Sequence, residues 1–253
     1  MIRAFLVVFL AIFLLVLLAV PLILHALLTG SSATLYRVGI WGVKLVLRAA
    51  GVRLEVHGRE NIPSDCAAIF MPNHQGNCDP PAVISILPQV RVIAKREFFR
   101  VPILGTAMRL CGFIPVDRKN RERAIEAIEA GVKALREGHS FMVFPEGTRS
   151  PDGRLQALKK GVFVMAIQAG APIVPVSVSG SSKIMRRGEF RIHPGLVRIT
   201  LHPAVTTDDR TMEDRDAIME EVRKAIIGGL AKDELPRQFI PARPSSGERR
   251  AAS

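Results

Sequence analysis

His74 and Asp79 stand five residues apart in the run Asn73-His74-Gln75-Gly76-Asn77-Cys78-Asp79-Pro80-Pro81. An imidazole titrates near neutral pH, and a carboxylate beside it can hold one tautomer. The pair therefore suits general-base work on a hydroxyl. Each residue also has a plainer reading. Asp before Pro-Pro is the pattern of a helix N-cap followed by proline at the first helical position, and His74 could be a structural loop histidine. Both together, on one loop after an apolar run, favour function. No GxSxG elbow is present, and no serine, nor Cys66, Cys78 or Cys111, has the context of an activated nucleophile. The expected chemistry is direct activation of a substrate hydroxyl by His74, without a covalent enzyme intermediate.

Two further stretches carry groups suited to an anion. In Phe144-Pro145-Glu146-Gly147-Thr148-Arg149-Ser150, a glycine lets backbone N–H groups approach a ligand and an arginine offers a bidentate fork. Glu146 would repel a phosphate unless it orients Arg149 or meets a ligand hydroxyl. The plain alternative is a tight turn with a solvated arginine. Gly112-Phe113-Ile114-Pro115-Val116-Asp117-Arg118 ends in an acid–base pair, Lys95-Arg96-Glu97 follows another apolar run, and Lys159-Lys160-Gly161 opens a helical one. Taken singly, these read as surface charges.

The elements that must position these groups alternate. Short apolar runs at 54–56, 67–71, 90–94, 113–116, 141–144, 173–178 and 196–201 predict strands. Between them, helices are expected at Pro80–Leu87, Val101–Leu110, Arg121–Glu137 and Leu158–Gln168, with Thr211–Leu230 closing the domain. Ile125, Ile128, Val132 and Leu135 make one apolar stripe on the third, and Thr211 and Asp214 are spaced as a cap pair. This alternation predicts an α/β fold with a mixed, largely parallel sheet flanked by helices. Each chemical motif then falls at a strand's carboxyl end, where α/β sheets place their sites.

Before this domain lies a different texture. Ala4–Leu28 is apolar but for Pro21 and His25; about 20 such residues cross a hydrocarbon core of roughly 30 Å. A cleaved signal peptide would have a shorter apolar region ending at a small-x-small site. Pro21 is expected to kink the helix, which could dip in and return. In Ala33–Ala50, Arg37, Lys44 and Arg48 fall on one helical stripe, with Trp41 among apolar neighbours, as in a helix lying in the headgroup layer. Residues 1–50 thus read as a membrane-anchoring helical pair, residues 51–234 as the α/β domain, and residues 235–253 as a disordered basic tail.

Composition agrees. The 253 residues hold 35 Lys+Arg against 23 Asp+Glu, a formal charge of +12, yet mean hydropathy is +0.23. A membrane surface is both apolar and anionic. Nucleic acid is disfavoured, since one Trp, one Tyr and dispersed charge give no stacking platform. Three scattered cysteines without a CxxC pair point to neither a disulfide framework nor a zinc site, and suit a reducing, cytosol-facing compartment.

The order NHQGNCDP, GFIPVDR, FPEGTRS and IVPVSV resembles the four-motif pattern of the glycerolipid acyltransferases, in particular the bacterial 1-acyl-sn-glycerol-3-phosphate (lysophosphatidic acid) acyltransferases. AKREFF at 94–99 and LKKGVFVMA at 158–166 add to a likeness that covers residues 50–205. The family's His-x4-Asp is met by His74 and Asp79. Gly76 stands where the family often has serine, so a hydroxyl role there is absent. The resemblance implies that His74 deprotonates the free hydroxyl of a membrane lipid acceptor, with Asp79 orienting and charging the ring. It implies that Arg118, Glu146, Gly147, Thr148 and Arg149 hold the acceptor phosphate, with Lys95 and Lys159 as secondary candidates. Pro175 would shape the acyl-chain or acceptor pocket. The donor would be acyl-CoA or acyl-carrier protein, with no metal or redox cofactor and phosphatidic acid as product. The domain would face the cytoplasm at the cell membrane. The same motifs would serve a sibling acting on glycerol-3-phosphate or a lyso-ornithine-type lipid. A non-catalytic lipid-binding scaffold would have no need of both His74 and Asp79.

Overall fold

The computed structural model describes residues 2–117, 120–185 and 191–237. Helix α1 spans Ile2–Thr29 and α2 spans Ala33–Ala49. Seven strands follow: β1 (Val52–His57), β2 (Ile69–Pro72), β3 (Arg91–Lys95), β4 (Ile114–Val116), β5 (Phe141–Met142), β6 (Ile173–Ser179) and β7 (Gly195–Leu201). Between and after them run α3 (Asp79–Ile84), α4 (Leu104–Leu110), α5 (Arg121–Arg136), α6 (Lys160–Ala169) and α7 (Arg215–Gly228). The strands form one sheet in the order β1-β7-β6-β2-β5-β3-β4. Every neighbouring pair is parallel except β6 with β7. The mixed, largely parallel sheet expected from the alternating pattern is therefore what forms.

The apolar runs of β2, β5 and β6 are continuous because both faces of the sheet's centre are covered. Side chains alternate across a strand, so Ile69 and Met71 of β2 join Phe163 and Val222 from α6 and α7. Phe70 joins Leu47, Ala82 and Val83 from α2 and α3 on the opposite face. Phe70, Phe141 and Phe163 are fully buried, each worth about 1.5–3 kcal/mol over exposure. Thr211 and Asp214 form the expected capping box: the Asp214 carboxylate accepts the Thr211 N–H at 2.8 Å and launches α7. Pro175 lies buried in β6. The bridge Ile173–Val205 and the ladder starting at Val176–Leu201 differ in register by one residue. Its missing N–H thus falls at a bulge, where a central strand tolerates proline.

The helix α1 continues through Pro21. At 1.5 Å per residue it is about 42 Å long, beyond the roughly 30 Å of a hydrocarbon core. Phe5, Phe9, Leu17 and Leu24 face outward, a large apolar surface of the kind that needs lipid or a partner. It is long and apolar enough to cross a membrane. On α2, Arg37, Trp41, Lys44 and Arg48 are exposed, whereas Leu35, Tyr36 and Leu47 turn inward. The Tyr36 hydroxyl accepts the Val90 N–H at 3.1 Å. This bond fastens α2 to the entry of β3. Of the expected basic tail, residues 238–253 lie outside the described residues.

Candidate active site

Strands β2 and β5 are parallel neighbours, so their carboxyl ends deliver Asn73-His74 and Pro145-Glu146 to the same edge of the sheet. Pro72 closes β2, and Asn73 continues the ladder with its side chain. Its Nδ2 donates to the Val178 carbonyl at 2.9 Å, and its Oδ1 accepts the Val178 N–H at 2.7 Å. The His74 backbone is held on both sides. Its N–H donates to Glu146 Oε1 at 2.6 Å, and its carbonyl accepts the Ser150 N–H at 2.8 Å.

The His74 ring is placed by two contacts. Nδ1 lies 2.8 Å from Asp79 Oδ2, and the ring centroid is 4.3 Å from that of Phe144. With Nδ1–H donating to the carboxylate, Nε2 carries the lone pair available to a hydroxyl proton. Asp79 is fully buried, and its Oδ2 also accepts the Gln75 and Gly76 N–H groups at 2.6 and 2.7 Å. It does not cap α3, which begins at Asp79 with no side-chain cap bond. Pro80 and Pro81 have no N–H to offer and the Ala82 N–H goes to the Cys78 carbonyl at 2.9 Å, so the carboxylate turns back onto its own loop. Gly76 has a steric reason: a Cβ there would come 2.8 Å from the Ser181 carbonyl oxygen. The Cys78 thiol is pushed up to about 12 by burial and by Asp79 beside it. It is a poor nucleophile, consistent with direct hydroxyl activation.

The FPEGTRS stretch is a strap over this loop. Gly147 has φ +72 and its N–H closes a turn onto the Phe144 carbonyl at 3.1 Å; the left-handed conformation favours glycine. Glu146 is buried, and its other oxygen accepts the Gln156 backbone and side-chain N–H groups at 2.9 and 3.2 Å. Both of its oxygens are therefore engaged by protein donors rather than turned toward a ligand site. Burial pushes its carboxyl up to about 7 against the pull of the His74 and Gln156 N–H groups, with the Asp79 charge adding to the rise. Arg149 bonds through Nη1 to Asn77 Oδ1, on the His74 loop. Thr148 is exposed, and its carbonyl accepts from Gln156 Nε2 at 3.1 Å. Lys159 donates its backbone N–H to the Pro145 carbonyl at 2.7 Å and lays its stem over Gly147.

His74, Asp79, Glu146, Gly147, Thr148, Arg149 and Lys159 are thus brought together. Lys95 is exposed at the end of β3 and paired with Glu97 at 3.0 Å. Arg118 lies outside the described residues. Asn73, Asn77 and Gln156 complete the site without having been singled out; Asn73 and Asn77 at least lie inside the His74 motif, whereas Gln156 has no motif signal. Among the described residues no three His, Cys, Asp or Glu side chains could share a metal ion.

An apolar cavity of about 320 Å³ lies between α1 and α2, lined among others by Leu14, Leu18, Gly42 and Val46. It ends on Asn77, Cys78 and Pro81, the loop that carries His74 and Asp79. Pro175 does not line it.

A family model described as Acyltransferase matches residues 53–179. A 1-acyl-sn-glycerol-3-phosphate acyltransferase of Limnanthes alba is 33% identical over 194 residues, covering 76% of this chain and 68% of that protein. A chloroplastic 1-acyl-sn-glycerol-3-phosphate acyltransferase of Arabidopsis thaliana is 36% identical over 155 residues, or 60% of this chain; the chain spans only 44% of that relative's length. The crystal structure of the 1-acyl-sn-glycerophosphate acyltransferase PlsC from Thermotoga maritima superposes with a TM-score of 0.77 at 25% identity, covering 89% of this chain and 92% of that one.

Proposed function

This chain belongs to the acyltransferase family, and we propose that it acylates the free sn-2 hydroxyl of lysophosphatidic acid to give phosphatidic acid. One observation carries the reading: the 74–81 loop holds the His74–Asp79 pair, closes the apolar cavity and bonds to Arg149. A candidate base, a site for a hydrocarbon chain and a guanidinium suited to phosphate therefore meet on these eight residues or their direct neighbours.

The acceptor hydroxyl gives its proton to His74 Nε2 as its oxygen attacks the thioester carbonyl of acyl-CoA or an acyl-carrier protein. The Asp79 carboxylate stabilises the imidazolium that forms. Collapse of the tetrahedral intermediate breaks the C–S bond, and the imidazolium returns the proton to the departing thiolate. Arg149, freed from Asn77, takes the acceptor phosphate, assisted by Lys159 and Arg118. No metal or redox group is needed for this sequence. The exposed Arg37, Lys44 and Arg48 on α2 support contact with an anionic surface, and a cytoplasmic setting by the excess of positive charge on that side of membranes.

An acceptor panel tests the assignment. With labelled acyl donor, lysophosphatidate should be acylated far faster than glycerol-3-phosphate, a lyso-ornithine lipid or monoacylglycerol. Arg149→Ala should erase the preference over monoacylglycerol, which lacks the phosphate. Preference for another acceptor in wild type would move the function to a sibling activity.

The cavity makes a separate prediction. A Cβ at Gly42 meets nothing within 4 Å, so Gly42→Phe should fill the cavity without disturbing α2. With donors of increasing chain length, kcat/KM should fall at least about tenfold for long chains and hold for short ones, the scale of a few methylenes in an apolar pocket. An unchanged chain-length profile would remove the cavity from the acyl site.

A further inference from the structure

The AKREFF stretch leads into a feature that the catalytic site does not use. After β3, a 3-10 helix over Arg96–Arg100 is followed by Val101-Pro102-Ile103 and then α4. Phe99 points inward at 3% exposure, whereas Phe98 and Val101 stand out at 53% and 43%, and Pro102 is exposed beside them. Outside α1 and α2, the other exposed large apolar residues among those described, Ile125, Leu196 and Met212, are isolated in the sequence. Here three apolar side chains cluster within five positions.

The backbone presents them at a cost. Ile103 is the one non-glycine with positive φ among the described residues, at φ 64 and ψ −60. The Leu104 N–H reaches the Pro102 carbonyl at 2.6 Å, closing a three-residue turn. This is the strained γ geometry, and a β-branched residue is poorly suited to it. Such strain collects where a segment is held out for a purpose.

Position and charge say what the purpose is. The loop's next element, α4, packs against α1, which brings the tip to the same side of the domain as that apolar helix. Lys95, Arg96 and Arg100 flank the tip, and the single acid among them, Glu97, is neutralised by Lys95. An apolar tip flanked by cations, joined through α4 to a long apolar helix, has the chemistry of an interfacial contact.

We propose that the Phe98–Pro102 tip is a second membrane contact, inserting into the headgroup–acyl boundary of an anionic bilayer beside α1, with Arg96 and Arg100 at lipid phosphates. The inference rests on α1 being embedded in lipid. Together the two contacts would fix the tilt of the domain, and so the height of the His74 loop above the bilayer.

The full chain has one tryptophan, so a Trp41→Phe background leaves a single reporter wherever tryptophan is introduced. Phe98→Trp in that background, reconstituted into phosphatidylglycerol–phosphatidylethanolamine vesicles with brominated acyl chains, should show blue-shifted emission and several-fold quenching relative to unbrominated vesicles. Phe13→Trp in the same background reports α1. Quenching of Phe13→Trp with water-like, unquenched emission from Phe98→Trp overturns the loop contact alone. Unquenched emission from both overturns the anchoring of α1 and the inference with it. A blue shift of Phe98→Trp in detergent on adding acyl-carrier protein, with no quenching in vesicles, would assign the tip to an acidic protein instead.

Discussion

His74→Ala should lower the rate of acyl transfer by about three orders of magnitude, within the 10²–10⁴ range that a positioned general base supplies, while leaving the thermal midpoint almost unchanged. The substitution removes only the ring. The backbone bonds from His74 to Glu146 and from Ser150 to His74 remain, and Asp79 keeps the Gln75 and Gly76 N–H groups. What disappears is the Nε2 lone pair. Single-turnover measurements with saturating lysophosphatidate and a labelled acyl donor, alongside a melting curve, separate the two effects. Full activity in this variant would eliminate the proposed chemistry. A large fall in the melting midpoint would instead make His74 a structural loop residue, the plainer alternative that its sequence context allows.

Glu146→Ala should fail differently, losing stability and turnover together. Truncation orphans the His74 and Gln156 backbone N–H groups beneath the strap, and each buried unpaired donor costs about 1–3 kcal/mol. The His74 loop, freed from its lateral support, should drift, and a displacement near 1 Å can cost about 10²-fold in rate. The acceptor KM should move less than kcat, because the carboxylate touches protein donors. A KM effect with intact kcat would restore Glu146 as a substrate ligand. Its pH signature is independent of activity. The folded carboxyl sits at about 7 against an ordinary 4.5. Protonation is therefore favoured by folding, and this group's contribution is present below pH 4.5 and lost as pH rises through 7. Glu146→Gln should flatten that part of the stability–pH curve, worth on the order of 3 kcal/mol.

The sheet was legible because its central strands β2, β5 and β6 are apolar on both sides: a run such as Ala67–Met71 admits few other readings, and each of the seven runs became a strand. Pairing was not legible. Nothing local says that β1 joins β7, the last strand to be made, or that β6 and β7 oppose each other. At the site, the His74–Asp79 spacing pointed to the pair, but the choice between a helix cap and a histidine partner was not legible: it depends on the Ala82 N–H going to the Cys78 carbonyl, which leaves Asp79 to its own loop. The hydrogen-bond partners of Glu146 were not legible, for a physical reason. A carboxylate in a glycine-arginine turn looks like a ligand contact unless its burial is known. The partner that explains it, Gln156, lies ten residues away with no periodicity to announce it.

The β1–β7 pairing also sets a timetable. Val52 pairs with Gly195, so β1 follows the anchor helices off the ribosome and then waits for a partner some 140 residues behind it. At about 5–20 residues per second, that wait is on the order of ten seconds. Throughout it, α1 can already be lodged in lipid while the adjoining strand keeps an open edge. With α1 in lipid, nascent chains would be tethered to a surface before β1 meets its partner, and long-range pairing makes that step slow. Biogenesis would then be most exposed to edge-to-edge association in that interval, in two dimensions at a membrane surface.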